Sequence, residues 1–300
     1  MTRDSGALPQ REQLHAICDA TGLDDRDAVL LHALSNAVYH LPHDGLVLRL
    51  ATATPPQLDR AHTVVAVCRW LAEHHGPTLA PTDLPQPVIA SATVATVWPY
   101  LPPSHPPDPA ALGAALRDLH AITAPPPPVP TYQPLARLYE ALDLDATRDT
   151  PALSTDQHTW LTNHANRLRA TYLGLTSHLG TGLIHGDAHT ANLLYDPTPG
   201  RWVLIDFDHA AHGPREIDLL YAAPDHFHTP ATHRHTFTRA YGPNLLCWPG
   251  WRTLRDISEA HSLASYIRRA PTTPAAATEL ARRLHSLRTA DPTTRWRTIS

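Results

Sequence analysis

"GLIHGDAHTANLLYD", residues 182–196, is the stretch on which the reading of this chain turns. Strand-forming Leu, Ile and Tyr bracket two His, an Asp and an Asn. Polar groups are costly beside buried strands, so a cluster of this kind points to chemistry. Just downstream, "DPTPG" (196–200) is a turn signal, and "RWVLIDFDHA" (201–210) supplies a second strand-like run that ends at Asp206. A hairpin built from these runs carries Asp187, Asn192 and Asp206 at one edge. One carboxylate can accept a proton from a hydroxyl. An amide oxygen and a second carboxylate can hold Mg²⁺ against phosphate oxygens. Phosphoryl transfer asks for little beyond positioning and charge neutralisation, which this set supplies.

Composition sets the frame for that reading. At 300 residues, 42% hydrophobic and 17% charged, the chain has the material for one large or two small cores. A net charge of −4 gives no reason to expect nucleic acid as a partner. Cys18, Cys68 and Cys247 are odd in number and widely spaced, which fits neither a disulfide framework nor a zinc pattern. All 24 basic residues are Arg. The 22 His lack the spacings of a structural zinc site and are read as compositional bias. The polar start MTRDSGALPQ does not read as a signal peptide, and no apolar run approaches the roughly 20 residues that span a bilayer. A cytoplasmic protein without a membrane partner is expected.

Periodicity predicts a helix over 11–24 with Leu14, Ile17 and Cys18 on one face, then three short strands in 28–51, the last two joined at "PHDG" (42–45). A helix is expected from Asp59 to Gly76, and two more strands in 86–103. Residues 108–122 read as a helix with Leu112, Leu116 and Leu119 aligned, followed by the stiff connector "APPPPVP" (124–130). "STDQ" at 154 is a capping-box start. Behind it Leu161, Ala165, Leu168, Tyr172, Leu175 and Leu179 predict one continuous apolar stripe. Residues 216–300 read as mostly helical, with "CWPGW" packing the last helices; Trp248 and Trp251 are alternatively candidates to stack on a sugar or aromatic ring.

The pattern HGD-x-x-x-x-N, followed fourteen residues later by IDF, resembles the aminoglycoside phosphotransferase and choline kinase family, whose members share the protein-kinase-like fold. "LSNAVYHL…LVLRL", "QPV…VWPYL", "LGAALRDLHAI", "GPREIDL", "RAYG" and "ELARRLHSLR" extend the resemblance over about residues 25–297. It implies an α+β, two-lobed architecture: a small β-rich nucleotide-binding lobe (1–97), a hinge (98–102) and a larger, mainly helical lobe that is catalytic and acceptor-binding (103–300). It implies ATP or GTP as donor, Mg²⁺ as cofactor and a small-molecule hydroxyl as acceptor.

Carried over, the resemblance makes Asp187 the catalytic base, with Asn192 and Asp206 as metal ligands. His185 opens the catalytic loop as a brace, and Asp218 braces the same loop. Asp208 is a further candidate near the metal, either a carboxylate behind the ligands or a solvated loop acid. The hinge, Trp98, Tyr100 and Leu101, is expected to hold the purine. No Gly-rich loop is present, so Ser35 or Asn36 would have to meet the phosphates.

The family's strand Lys is replaced by Arg49, and the helix acid that usually partners it is replaced by Val64. Glu73, nine residues further on, is out of phase to substitute. The sequence therefore leaves the nucleotide itself, or Asp206, to order Arg49. A catalytically weak pseudokinase, acting as a nucleotide- or ligand-binding module, is the alternative these losses favour; intact Asp187, Asn192 and Asp206 oppose it. A metallophosphoesterase would need an Asp-x-His ahead of the Gly-Asp segment, and a protein kinase would need a longer segment than 207–216. Between 224 and 300 stand eleven Arg and five acids (Asp225, Asp256, Glu259, Glu279, Asp291); if this region forms the acceptor wall, as the resemblance implies, that balance favours a neutral or anionic acceptor.

Overall fold

The computed structural model describes residues 11–33, 36–198, 200–242 and 245–299. The chain divides into two compact units, one formed by Met1–Pro130 and Leu183–His212, the other by Thr131–Gly182 and Gly213–Ser300.

In the first unit, α1 (Arg11–Thr21) precedes a five-stranded antiparallel sheet of β1 (Val29–Ala33), β2 (Ala37–Leu41), β3 (Leu46–Thr52), β4 (Val88–Ala90) and β5 (Thr93–Pro99), in the spatial order β1-β2-β3-β5-β4. Alternation along β3 sets its two faces. Leu48 and Leu50 join Leu14, Ile17 and Cys18 of α1 in a buried core with Tyr39, Leu41 and Val97. Arg49 points the other way, toward the long helix α2 (Pro55–Glu73). The sequence places the start of this helix at Asp59; it begins four residues earlier. Pro55 and Pro56 occupy its first turn, where a missing N–H costs nothing and a fixed φ is already helical.

Helix α3 (Pro109–His120) buries Leu112, Leu116 and Leu119 and is capped by Asp108, whose carboxylate accepts from the Ala111 N–H at 2.7 Å. The chain returns to this unit through β6 (Thr181–Ile184). It then forms the β7 (Leu193–Asp196) and β8 (Arg201–Leu204) hairpin and leaves through β9 (Ala211–Pro214). The hairpin is tied to the end of α2: Arg201 donates to the carbonyls of His75 (2.9 Å) and Gly76 (2.8 Å), and the Leu204 N–H to Pro77 (2.8 Å).

The second unit is helical: α4 (Ala136–Ala146), α5 (Thr155–Leu173), α6 (Ala231–Tyr241), α7 (Trp251–Arg269) and α8 (Pro274–Thr289), with a 3₁₀ segment over Arg215–Ala222. Both halves of the capping box at Ser154 and Gln157 form. The apolar stripe behind it is shorter than its spacing suggests. Leu161, Ala165 and Leu168 are buried, but α5 ends at Leu173, so Leu175 and Leu179 lie beyond the helix. The buried Glu216 carboxylate takes over there, accepting from the Leu179 N–H (2.8 Å), the His178 N–H (2.5 Å) and the Ser177 hydroxyl (2.8 Å). Arg283 is enclosed by Glu279, Tyr266 and Trp296. Trp251 lies under the Arg255 guanidinium, and the Trp248 indole donates to the Thr176 carbonyl at 3.2 Å.

One partly buried acid of α7 makes stability depend on pH. Burial pushes Glu259 up to about 7 from its ordinary 4.5; Arg255 (3.7 Å) opposes the shift, and Asp256 and Asp225 add to it. His226 also faces it, at 3.8 Å. A folded-state pKa above the unfolded one means the native chain keeps a proton that the unfolded chain releases. The contribution is intact below about 4.5 and is lost as pH rises through about 7. Glu259→Gln should therefore flatten the fall in Tm over that window, removing up to ~3 kcal/mol of pH-dependent destabilisation. Thermal melts of both proteins across the window test this; parallel curves would refute it.

Candidate active site

Every charged or amide group of the site that can be placed belongs to the first unit. Residues 185–187 form a tight turn after β6. Gly186 has φ +80°, and a Cβ there would lie 2.3 Å from the His209 carbonyl oxygen, so only glycine fits. His185 is fully buried, packs against Phe207, and spans the loop. Its Nε2–H donates to the Ile205 carbonyl (2.8 Å), and its Nδ1 accepts from the Asp187 N–H (3.3 Å), which fixes the tautomer. His185 thus links the loop to the end of the second strand. The backbone of Asp187 is fixed from both sides, since its carbonyl accepts from Asn192 Nδ2 at 2.9 Å. Its carboxylate is about half exposed (51%) and lies 3.9 Å from His189.

Asn192, itself buried, is joined to the second strand end: its backbone carbonyl accepts from the Ile205 N–H at 3.0 Å. With Leu193 paired to Leu204, this puts Asn192 and Asp206 at the same edge of the hairpin. The Asn192 amide nitrogen is committed to the Asp187 carbonyl, so its oxygen is the atom offered to a cation. Asp206 adopts a left-handed conformation (φ 65°, ψ 54°), one that Asp tolerates better than most residues, and its carboxylate is 41% exposed. An amide oxygen and an exposed carboxylate are hard oxygen donors. Among the described residues no group of three or more His, Cys, Asp or Glu is arranged to hold a metal ion. A cation here would complete its shell with water and phosphate oxygens, the habit of Mg²⁺.

Arg49 reaches this edge from β3. Its Nη1 and Nη2 donate to the two Asp208 oxygens (2.6 and 2.5 Å), and Nη2 lies 3.1 Å from Asp206. The Asn36 amide oxygen, in the orientation that satisfies the network, accepts from Arg49 Nη2 (2.6 Å) and Nε (3.1 Å). Burial alone would lower the guanidinium pKa; Asp208 and then Asp206 more than offset it, so Arg49 stands above its ordinary value. Val64 lines the same small cavity, together with Arg60 and Thr96, and brings no charge.

The structure alters the sequence reading at this point. Arg49 has a carboxylate partner besides Asp206. It comes from the Phe207–His209 turn and not from α2. Asp208 is no solvated acid, being only 11% exposed. What the sequence analysis missed was this pairing, along with His189 beside Asp187 and Arg60 in the cavity. An unexplained second acid in "DFDH", beside a strand Arg that lacks its helix partner, was the available signal.

The expected hinge lies further along the Arg49 face of the sheet. Trp98 is opposite Val47, two places from the Arg49–Thr96 pair, and its indole donates to the Thr96 hydroxyl at 2.9 Å. The Tyr100 N–H is already taken by the Gly45 carbonyl (2.9 Å), and its ring stacks on His40 at 3.7 Å. Leu101 follows, half-buried. Ser35 lies outside the described residues. Asp218 is buried within the second unit.

The sequence model of the phosphotransferase enzyme family, APH, matches residues 27–257, and the chain belongs to that family. Solved structures share its α+β, protein-kinase-like fold of a small antiparallel-sheet lobe and a larger helical part. A choline/ethanolamine kinase family protein from Mesorhizobium loti is 19% identical, with 89% of each chain covered and a TM-score of 0.61. The GDP and kanamycin complex of APH(2")-IIia is 13% identical, covering 94% of this chain and 100% of that one, at 0.62. Aminoglycoside phosphotransferase APH(3'')-Id from Streptomyces rimosus is 17% identical, covering 83% and 98%, at 0.59. Among curated protein sequences the chain has no match. No helix of the described residues is long and apolar enough to cross a membrane.

Proposed function

We propose that this protein transfers the γ-phosphate of ATP or GTP to a hydroxyl of a small molecule. The observation that carries this reading is the edge where Asp187, Asn192, Asp206 and Arg49 meet: a half-exposed base, two hard oxygen donors and a cation, held on one loop, one hairpin and one strand. The nucleotides named in the complexes of similar folds, GDP with APH(2")-IIia and ADP with a spectinomycin phosphotransferase, support a nucleotide donor here.

Asp187 accepts the proton of the attacking hydroxyl, and the fixed backbone on either side of it holds the carboxylate in place. Asn192 Oδ1 and Asp206 would hold Mg²⁺. When bound, that ion neutralises phosphate charge as the bond to the leaving oxygen lengthens. Arg49 lies beside Asp206 and is placed to donate to the phosphates, while the Trp98–Leu101 stretch bounds the space for the purine. If residues 224–300 form the acceptor wall, their excess of Arg over acids supports a neutral or anionic acceptor.

One observation favours the second reading, a binding module with little turnover: Arg49 is engaged by two carboxylates of its own chain. The test is a Mg²⁺-dependent thermal shift with ATP and GTP, followed by a phosphorylation screen of hydroxylated metabolites and antibiotics. Stabilisation with transfer supports the kinase. Stabilisation without transfer to any acceptor supports the module. No response to either nucleotide refutes the kinase and any nucleotide-binding module.

A further inference from the structure

Resting on the phosphotransferase reading, we propose that Asp208 is the positioning residue for Arg49, replacing from the Phe207–His209 turn the carboxylate that α2 lacks at Val64. Three observations converge. The contact is bidentate, both guanidinium Nη atoms meeting both carboxylate oxygens at 2.6 and 2.5 Å, the geometry that fixes the plane of an Arg side chain and not merely its charge. The pair is largely buried, 20% exposed at Arg49 and 11% at Asp208, so the contact is little screened by solvent. On the α2 side the cavity is lined by Gln57, Arg60, Ala61 and Val64, none of which is an acid.

Asp206, by contrast, touches Arg49 with one oxygen at 3.1 Å and remains 41% exposed. It can turn to a cation without releasing the guanidinium. The two acids thus divide the labour: Asp208 orients Arg49, and Asp206 stays available to the metal. A second effect follows from where the carboxylate sits. It is two residues from Asp206 on the same turn, so the phosphate grip and the metal ligand are set by one piece of backbone. A shift of α2 would leave their spacing intact.

The test uses titration calorimetry of the full chain with ATP and with GTP, each with Mg²⁺, and with the parent nucleosides. Asp208→Asn should weaken triphosphate binding about tenfold, the equivalent of one charge-assisted hydrogen bond, and leave nucleoside binding unchanged. Adding Val64→Glu to Asp208→Asn should recover part of the loss by returning a carboxylate from α2. Equal triphosphate affinity in wild type and in Asp208→Asn would overturn the proposal. So would an equal loss for nucleoside, which would mark a general structural role.

Should Asp208→Asn not fold, Arg49→Met and Arg49→Met/Asp208→Leu carry the test, since the double change removes both charges together. Equal triphosphate affinity in those two proteins is expected if Asp208 acts through Arg49. A further loss in the double variant would show that Asp208 acts on its own and overturn the assignment. Wild-type protein that binds neither triphosphate would instead refute the phosphotransferase reading itself.

Discussion

Asp187→Asn is expected to fold like the wild type and to lose phosphate transfer by about 10²–10⁴-fold. The folding half of this expectation follows from what Asp187 touches. Its backbone N–H and carbonyl carry the loop, through His185 and Asn192, and the substitution leaves both in place. Its carboxylate is about half exposed and has one long contact, to His189 at 3.9 Å, so losing the charge costs little stability. The activity half follows because an amide of the same shape cannot take a proton. The measurements are Tm by thermal melt and single-turnover transfer from the donor that stabilises the wild type. Undiminished transfer in a folded Asp187→Asn protein would remove this residue from the chemistry.

Asp206→Ala should abolish the Mg²⁺ dependence of nucleotide binding, with a loss on the order of 10²-fold in affinity at saturating Mg²⁺. Asp208→Ala should do less damage and keep the Mg²⁺ dependence, because its carboxylate acts on Arg49. The left-handed backbone at Asp206 complicates the simple variant: Ala at φ 65° adds strain of about 1 kcal/mol that has nothing to do with metal. Asp206→Asn, which tolerates that conformation, separates the two effects and should still lose most of the Mg²⁺ dependence, since its amide oxygen brings no charge. Calorimetry with and without Mg²⁺ reads both. A larger loss in Asp208→Ala, with Mg²⁺ dependence kept in Asp206→Asn, would reverse the roles of the two acids.

Local signals made much of the fold legible. The apolar runs Leu30-Leu31, Val38-Tyr39 and Leu46–Leu50 and the "PHDG" turn mark three strands and the β2–β3 hairpin; burial alternates along β2, which has one face on α1, while β1 is exposed throughout. The capping box at Ser154 located the start of α5 to the residue. The errors were local as well. The helix expected from Asp59 starts at Pro55, because a first turn accepts proline. The apolar spacing beyond Leu173 read as helix, though Glu216, more than thirty residues on, holds that backbone out of it.

The site divides along the same line. Asp187, Asn192 and Asp206 stand close together in the sequence, and their types name their chemistry. The partner of Arg49 is 159 residues away, and no periodicity or spacing connects the two. Only the tertiary fold could show that the second acid of "DFDH" pairs with Arg49 through both of its oxygens.

The first unit is discontinuous, closed by residues 183–212 after an excursion of some fifty residues. During synthesis Arg49 and Asn36 emerge long before Asp187, Asn192, Asp206 and Asp208. A chain arrested at Pro130 holds the guanidinium without either of its acids. The site therefore cannot assemble progressively from the ribosome outward. Its completion is a late event that requires the returning hairpin to dock onto the end of α2, where Arg201 clasps the carbonyls of His75 and Gly76. Contacts this distant in sequence slow folding, so a nascent or truncated chain would present an open sheet face for longer than the finished protein does.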